Sequence, residues 1–157
     1  VLELNGADDI LDNLLSAIQK CTRVVAMKAV VFVLRTIHVQ DTDLGLKMMH
    51  ALLMLLELGV PLLCVVDGQP CELAIVLCLI AAYTIASDNT SLQLSAKSTP
   101  MNTLLQKLLG ARLGAKQARA LRLMPPLMNA ALAMHVGVLD EVVEDLSEAR
   151  HRALDIA

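Results

Sequence analysis

A chain of 157 residues fits one domain, and 56% hydrophobic residues supply ample material for a core, which excludes a disordered segment. Phe32 and Tyr83 are the only aromatic residues, so no platform exists for stacking bases, and a net charge of −3 with scattered Lys and Arg argues against nucleic acid as a partner. Glu3, Asp8 and Asp9 stand where an export signal would be basic and then apolar, and Cys21, Cys64, Cys71 and Cys78 lack metal-ligand spacing, so the expectation is a cytoplasmic protein with reduced thiols and no metal.

In chain order, Val1 to Leu4 reads as a short strand, and Gly6 with Asp8-Asp9 supplies a turn and an acidic helix start. Ile10, Leu11, Leu14, Leu15 and Ile18 share one helical stripe, which predicts a helix to about Cys21. Ala29 to Leu34 is a mostly β-branched apolar run, hence a strand buried on both faces, and Arg35 to Gly45 follows as a polar loop. Leu46 to Leu58 predicts a helix stopped by Gly59 and Pro61. Leu62 to Val66 is a second buried strand, closed by the turn Asp67-Gly68. Pro70 and Glu72 suit the first turn of the next helix, where a missing donor is harmless and a carboxylate meets the positive helix end. Tyr83 to Ala86 and Leu92 to Leu94 are short strand candidates around a polar turn, Ser87 to Ser91.

From Thr103 onward the pattern is helical, with breaks at Gly110, Gly114, Pro125-Pro126 and Gly137. Strands joined through helices over residues 1–100, followed by a helical layer over 101–157, predict a single mixed α/β domain. The runs 51–66 and 73–86 are apolar, but Glu57, Gly59 and Pro61 break the first, and the second is shorter than the roughly 20 residues of a spanning helix, so no membrane association is expected. Arg112, Lys116, Arg119 and Arg122 recur at helical spacing, as a solvated face or as a docking face for an anionic partner.

The stretch Val65-Val66-Asp67-Gly68 through Tyr83-Thr84-Ile85-Ala86-Ser87 resembles the centre of the crotonase family, the enoyl-CoA hydratases and isomerases. There the matching stretch runs Val-Asn-Gly, a spacer, Gly-Gly-Gly, one residue, Glu, an apolar helix, then Asp-Tyr-x-Ile-Ala-Ser. Gly110 to Gly114, Asn129-Ala130 and Gly137-Val138-Leu139-Asp140-Glu141-Val142-Val143 are similar to the family's closing pattern, so the resemblance covers most of the chain. It implies the α/β spiral of the ClpP/crotonase kind with a helical C-terminal layer, and a homo-oligomer, trimer or hexamer.

The resemblance also implies an oxyanion hole that stabilises an enolate formed from a thioester. One backbone donor would come from Glu72, Leu73 and Ala74, which replace the glycine triplet, so Leu73 and Ala74 are the candidates. The other would fall within His38 to Asp43, with Thr42 as the candidate; Asp43-Leu44 resembles the close of that segment. The two positions of the hydratase glutamates are Val76 and Ala96, which transfer no proton. Glu72, four residues before Val76, is one replacement acid, although it equally suits a solvated helix start; His38, with Asp41 and Asp43, is the other.

Two functions follow from the resemblance. One is a divergent crotonase acting on an acyl thioester of coenzyme A or of an acyl carrier protein, as hydratase, isomerase or decarboxylase in acyl or natural-product metabolism, with the thioester as substrate and no further cofactor. Decarboxylation needs enolate stabilisation without paired glutamates. The alternative is a catalytically inactive structural partner of an active enzyme.

Overall fold

The structure, a computed structural model, describes residues 2–4, 15–16, 18–19, 29–35, 54–55, 57, 59–94, 99–121, 123 and 127–157. Three consecutive apolar runs build its centre: β2 (Val30–Leu34), β3 (Leu62–Val66) and β4 (Tyr83–Ser87). With β1 (Leu2–Leu4) and β7 (Glu141–Val143) they form a parallel sheet of order β1-β2-β3-β4-β7. Phe32 stands beside Cys64, and Cys64 beside Thr84.

Both faces of the sheet are covered, which is why β2 and β3 read as unbroken apolar runs rather than alternating ones. Val30, Phe32, Leu34, Cys64, Val66 and Ala86 join one core with α1 (Glu72–Ile80) and α2 (Thr99–Leu113). Val31, Val33, Leu63, Val65 and Ile85 point the other way, onto α5 (Leu146–Ile156). Ala149 and Ala153, fully buried, bring α5 close to the strands. Asp145 caps that helix by accepting from the Glu148 N–H at 2.8 Å.

Helical conformation at 15–16, 18–19, 54–55 and 57 fits the two predicted early helices, whose other residues lie outside the described ones. The closing half keeps its helices, α2, α3 (Ala115–Leu121), α4 (Ala130–His135) and α5. It also holds two strands that the helical pattern hides. β6 (Leu127–Asn129) pairs antiparallel with β5 (Ser91–Gln93), and β7 joins the main sheet beside β4.

Gly110 does not break α2, which runs through it; the helix stops one turn later at Gly114, whose φ of 83° side chains rarely adopt. This stop also divides the basic series. Lys116 and Arg119 are exposed, while Arg112 is turned inward, and Arg122 lies outside the described residues.

Arg112 ties the end of α1 to the closing half. Its guanidinium donates to the Ala81 carbonyl at 3.0 Å, to the Cys78 carbonyl at 3.4 Å and to the Gly137 carbonyl at 3.3 Å, and pairs with Asp140 at 2.6 Å. A cation at a helix C-terminus also meets the negative end of the helix dipole. Asp140 in turn accepts from the Thr84 N–H at 2.8 Å, and Thr84 donates its hydroxyl to the Cys78 carbonyl.

Cys64 is fully buried beside Cys78, and burial pushes its thiol well above the usual range, with Cys78 adding to the shift. A raised folded value means that stability is complete below the unfolded thiol value of about 8.5 and is lost as pH rises above it. Moving from pH 7 to pH 10 is therefore expected to lower stability through this thiol. Thermal melts of the wild type and of Cys64→Ala over that range check it: the Ala variant should show the weaker alkaline loss, and equal slopes would refute the assignment.

Candidate functional site

The turn between β3 and α1 sits at the C-terminal end of the central strand, where open α/β sheets usually hold their ligands. Gly68, at φ 73°, makes the turn, and its carbonyl accepts from the Ser91 N–H at 3.0 Å. Pro70 lies just outside the helix, Cys71 is its N-cap residue, and Glu72 is its first residue. The proline thus falls before the cap rather than inside the first turn.

The first four N–H groups of a helix have no carbonyl of their own helix to bond. In α1 they belong to Cys71, Glu72, Leu73 and Ala74, with Ile75 donating to the Cys71 carbonyl at 3.1 Å. Such a terminus favours an anion or a developing negative charge. The half-buried Cys71 thiol stands on this turn. Burial pushes its pKa up, against the smaller opposing pull of the N–H groups of Ala74, Leu73 and Cys71, so it stays a neutral, weak acceptor.

Leu73 and Ala74 are 1% and 2% exposed, and Val76 is fully buried. Glu72 is half-buried, four residues before Val76. The structure therefore groups Glu72, Leu73 and Ala74 on one helical turn. His38, Thr42, Asp41, Asp43 and Ala96 lie outside the described residues. Tyr83 is packed against the closing half: its hydroxyl donates to Glu141 at 3.2 Å, and desolvation, then the Glu141 charge, push its pKa up. His135 and His151 are exposed.

One polar cluster beside the turn escaped the sequence reading. Asp67 accepts from the Ser87 hydroxyl at 2.6 Å, Ser87 lies 3.2 Å from the Thr90 hydroxyl, and Thr90 donates to the Val66 carbonyl at 3.1 Å. Ser87 and Thr90 are 0% and 1% exposed, so the segment Ser87 to Ser91 is a buried anchor at both those positions and a surface turn only at Asp88 and Asn89. The signal for it was the Asp at the position where the resembling family has Asn, together with hydroxyls three residues apart.

Among the described residues no group of three His, Cys, Asp or Glu side chains is placed to hold a metal ion, and no helix is long and apolar enough to cross a membrane.

No family model matches this sequence, and no curated protein matches it. Solved structures do match. An enoyl-CoA hydratase/isomerase from Marinobacter aquaeolei superimposes with a TM-score of 0.75 at 14% identity, over 96% of this chain and 66% of that one. An enoyl-CoA hydratase from Bacillus anthracis gives 0.75 at 15% identity over 98% and 66%. A monofunctional enoyl-CoA isomerase from M. smegmatis gives 0.76 at 20% identity over 96% and 72%. The chain thus spans about two thirds of the length of the first two structures. At these TM-scores over nearly the whole chain, the chain has the crotonase fold shared by enoyl-CoA hydratases and isomerases.

Proposed function

We propose that this chain binds an acyl thioester, on coenzyme A or on an acyl carrier protein, with the thioester oxygen directed at the N–H groups of Leu73 and Ala74. The observation that carries the reading is the start of α1 directly after the β3 turn in a crotonase fold, with backbone donors that bond no carbonyl of their own helix. Side-chain replacement of the glycines leaves those donors in place. Chemistry at such a site is chemistry of the enolate: hydration, isomerisation or decarboxylation. Val76 contributes no proton to it. Thr42 as a second donor, Glu72 and His38 as acids, cytoplasmic location and a trimer or hexamer belong to the same proposal.

Calorimetry with crotonyl-, malonyl- and acetyl-CoA tests it. Binding is expected in the micromolar range, and Ala74→Pro, which deletes one N–H in a turn that tolerates proline, should weaken it about tenfold, the worth of one hydrogen bond. Absence of binding to all three by the folded protein would refute the reading.

That outcome would favour a non-catalytic partner of an active relative. Near-complete burial of Leu73 and Ala74 speaks for this second reading, because the glycines of the resembling family leave room that these side chains fill.

A further inference from the structure

We propose that the thioester reaches this chain on an acidic carrier protein, which docks on the basic outer face of α2 and α3 around Leu123 and Leu127. What the partner carries rests on the thioester reading above; the docking face stands on its own observations.

Charge is unevenly spread along the chain. Between Asp88 and Asp140 there is no Asp or Glu, while Lys97, Lys107, Arg112, Lys116, Arg119 and Arg122 fall in that stretch. The stretch therefore carries +6, and because the whole chain is −3, the rest carries −9. Arg112 is engaged with Asp140 and with carbonyls of the fold. Lys107 on α2 and Lys116 and Arg119 on α3 are exposed instead. A local excess of cations on an otherwise acidic protein concentrates an anionic partner at that face, the more so at low salt.

The apolar residues beside these cations narrow the partner's class. Leu123 is 91% exposed two residues beyond α3, and Leu127 is 50% exposed on β6. Large apolar side chains inside a rim of charge are the anatomy of a protein–protein contact. A lipid surface fits less well. α3 has only seven residues, and its Ala118 and Leu121 are turned into the core, so it has no apolar face to lay into a bilayer.

Position selects among acidic partners. β6 pairs with β5, with Leu127 opposite Gln93 and Asn129 opposite Ser91, and the Ser91 N–H donates to the Gly68 carbonyl at 3.0 Å. By strand spacing, Leu127 thus lies roughly 10 Å from the turn that leads into α1. A carrier protein seated here can deliver a tethered acyl group to that turn while covering Leu123 and Leu127. Free coenzyme A has no apolar protein surface with which to cover them.

The experiment is calorimetry of the full chain against an acetylated acyl carrier protein, the same carrier without its acetyl group, and acetyl-CoA. The acetylated carrier is expected to bind at least about tenfold tighter than acetyl-CoA. The double variant Lys116→Glu/Arg119→Glu should lose at least about tenfold in carrier affinity, and Leu123→Ser about as much, both with the wild-type melting temperature and unchanged acetyl-CoA affinity. Acetyl-CoA bound as tightly as the acetylated carrier, or a carrier affinity that charge reversal leaves unchanged, would overturn the docking proposal and leave thioester binding intact. The proposal also fails if the carrier does not bind while the double variant abolishes capture by vesicles of anionic phospholipid or self-association at raised protein concentration. A carrier held through Lys116 and Arg119 with no gain from its acetyl group, and no binding of acetyl-CoA, would sink the thioester reading and leave the docking face standing.

Discussion

Arg112→Ala is expected to lower the melting temperature by about 10 °C, a loss of about 3 kcal/mol for a chain of this size. The guanidinium bonds three carbonyls, Cys78, Ala81 and Gly137, and neutralises Asp140, with only 14% of its side chain exposed. Removing it takes one donor from each of those oxygens, of which the Cys78 carbonyl keeps the Thr84 hydroxyl, and leaves a carboxylate that is 31% exposed and still accepts from the Thr84 N–H. Because Asp140 is partly wet, the cost falls at the lower end of the range for a broken buried pair. Arg112→Lys should recover little of it, since one ammonium cannot span acceptors on α1, on Gly137 and on Asp140 at once. Differential scanning calorimetry of both variants decides the point; a melting temperature within about 2 °C of wild type in Arg112→Ala would show that the network contributes nothing.

Phe32→Ala should cost more, about 4 kcal/mol. Phe32 is fully buried in β2 between Leu2 and Cys64 in register, and faces the core shared with α1 and α2. The remaining core is aliphatic and sits on a five-stranded parallel sheet that cannot collapse into the gap without breaking register. Urea unfolding would report the loss as a lower midpoint at unchanged slope. Phe32→Leu fills most of the space and should cost about half as much. Equal losses in the two variants would mean that cavity volume is not what sets the penalty.

The legible parts of this sequence were those whose pattern is local. Leu62 to Val66 stood out because Pro61 and Asp67-Gly68 punctuate an apolar run, and the strand has those bounds. The central helix was readable from an apolar run behind Pro70 and Glu72. β6 and β7 were not, because three residues amid helical periodicity carry no signal of their own; register with β5 and β4 makes them strands. Arg112 read as a surface cation since its partner Asp140 is 28 residues away. At the site, the resemblance placed Leu73 and Ala74 on the turn that holds them, yet Asp67 and Ser87, 20 residues apart at the ends of neighbouring strands, meet only in three dimensions.

The late arrival of β7 has a consequence for synthesis on the ribosome. β4 ends at Ser87 and its outer neighbour begins at Glu141, so the hydrophobic sheet emerges with an open edge until more than fifty further residues have been translated. At typical elongation rates that interval is about 3–10 s, long compared with the collapse of the strands already made. During it β4 offers an unpaired backbone to any other nascent strand, an opening for misassembly that closes only when β7 pairs along it.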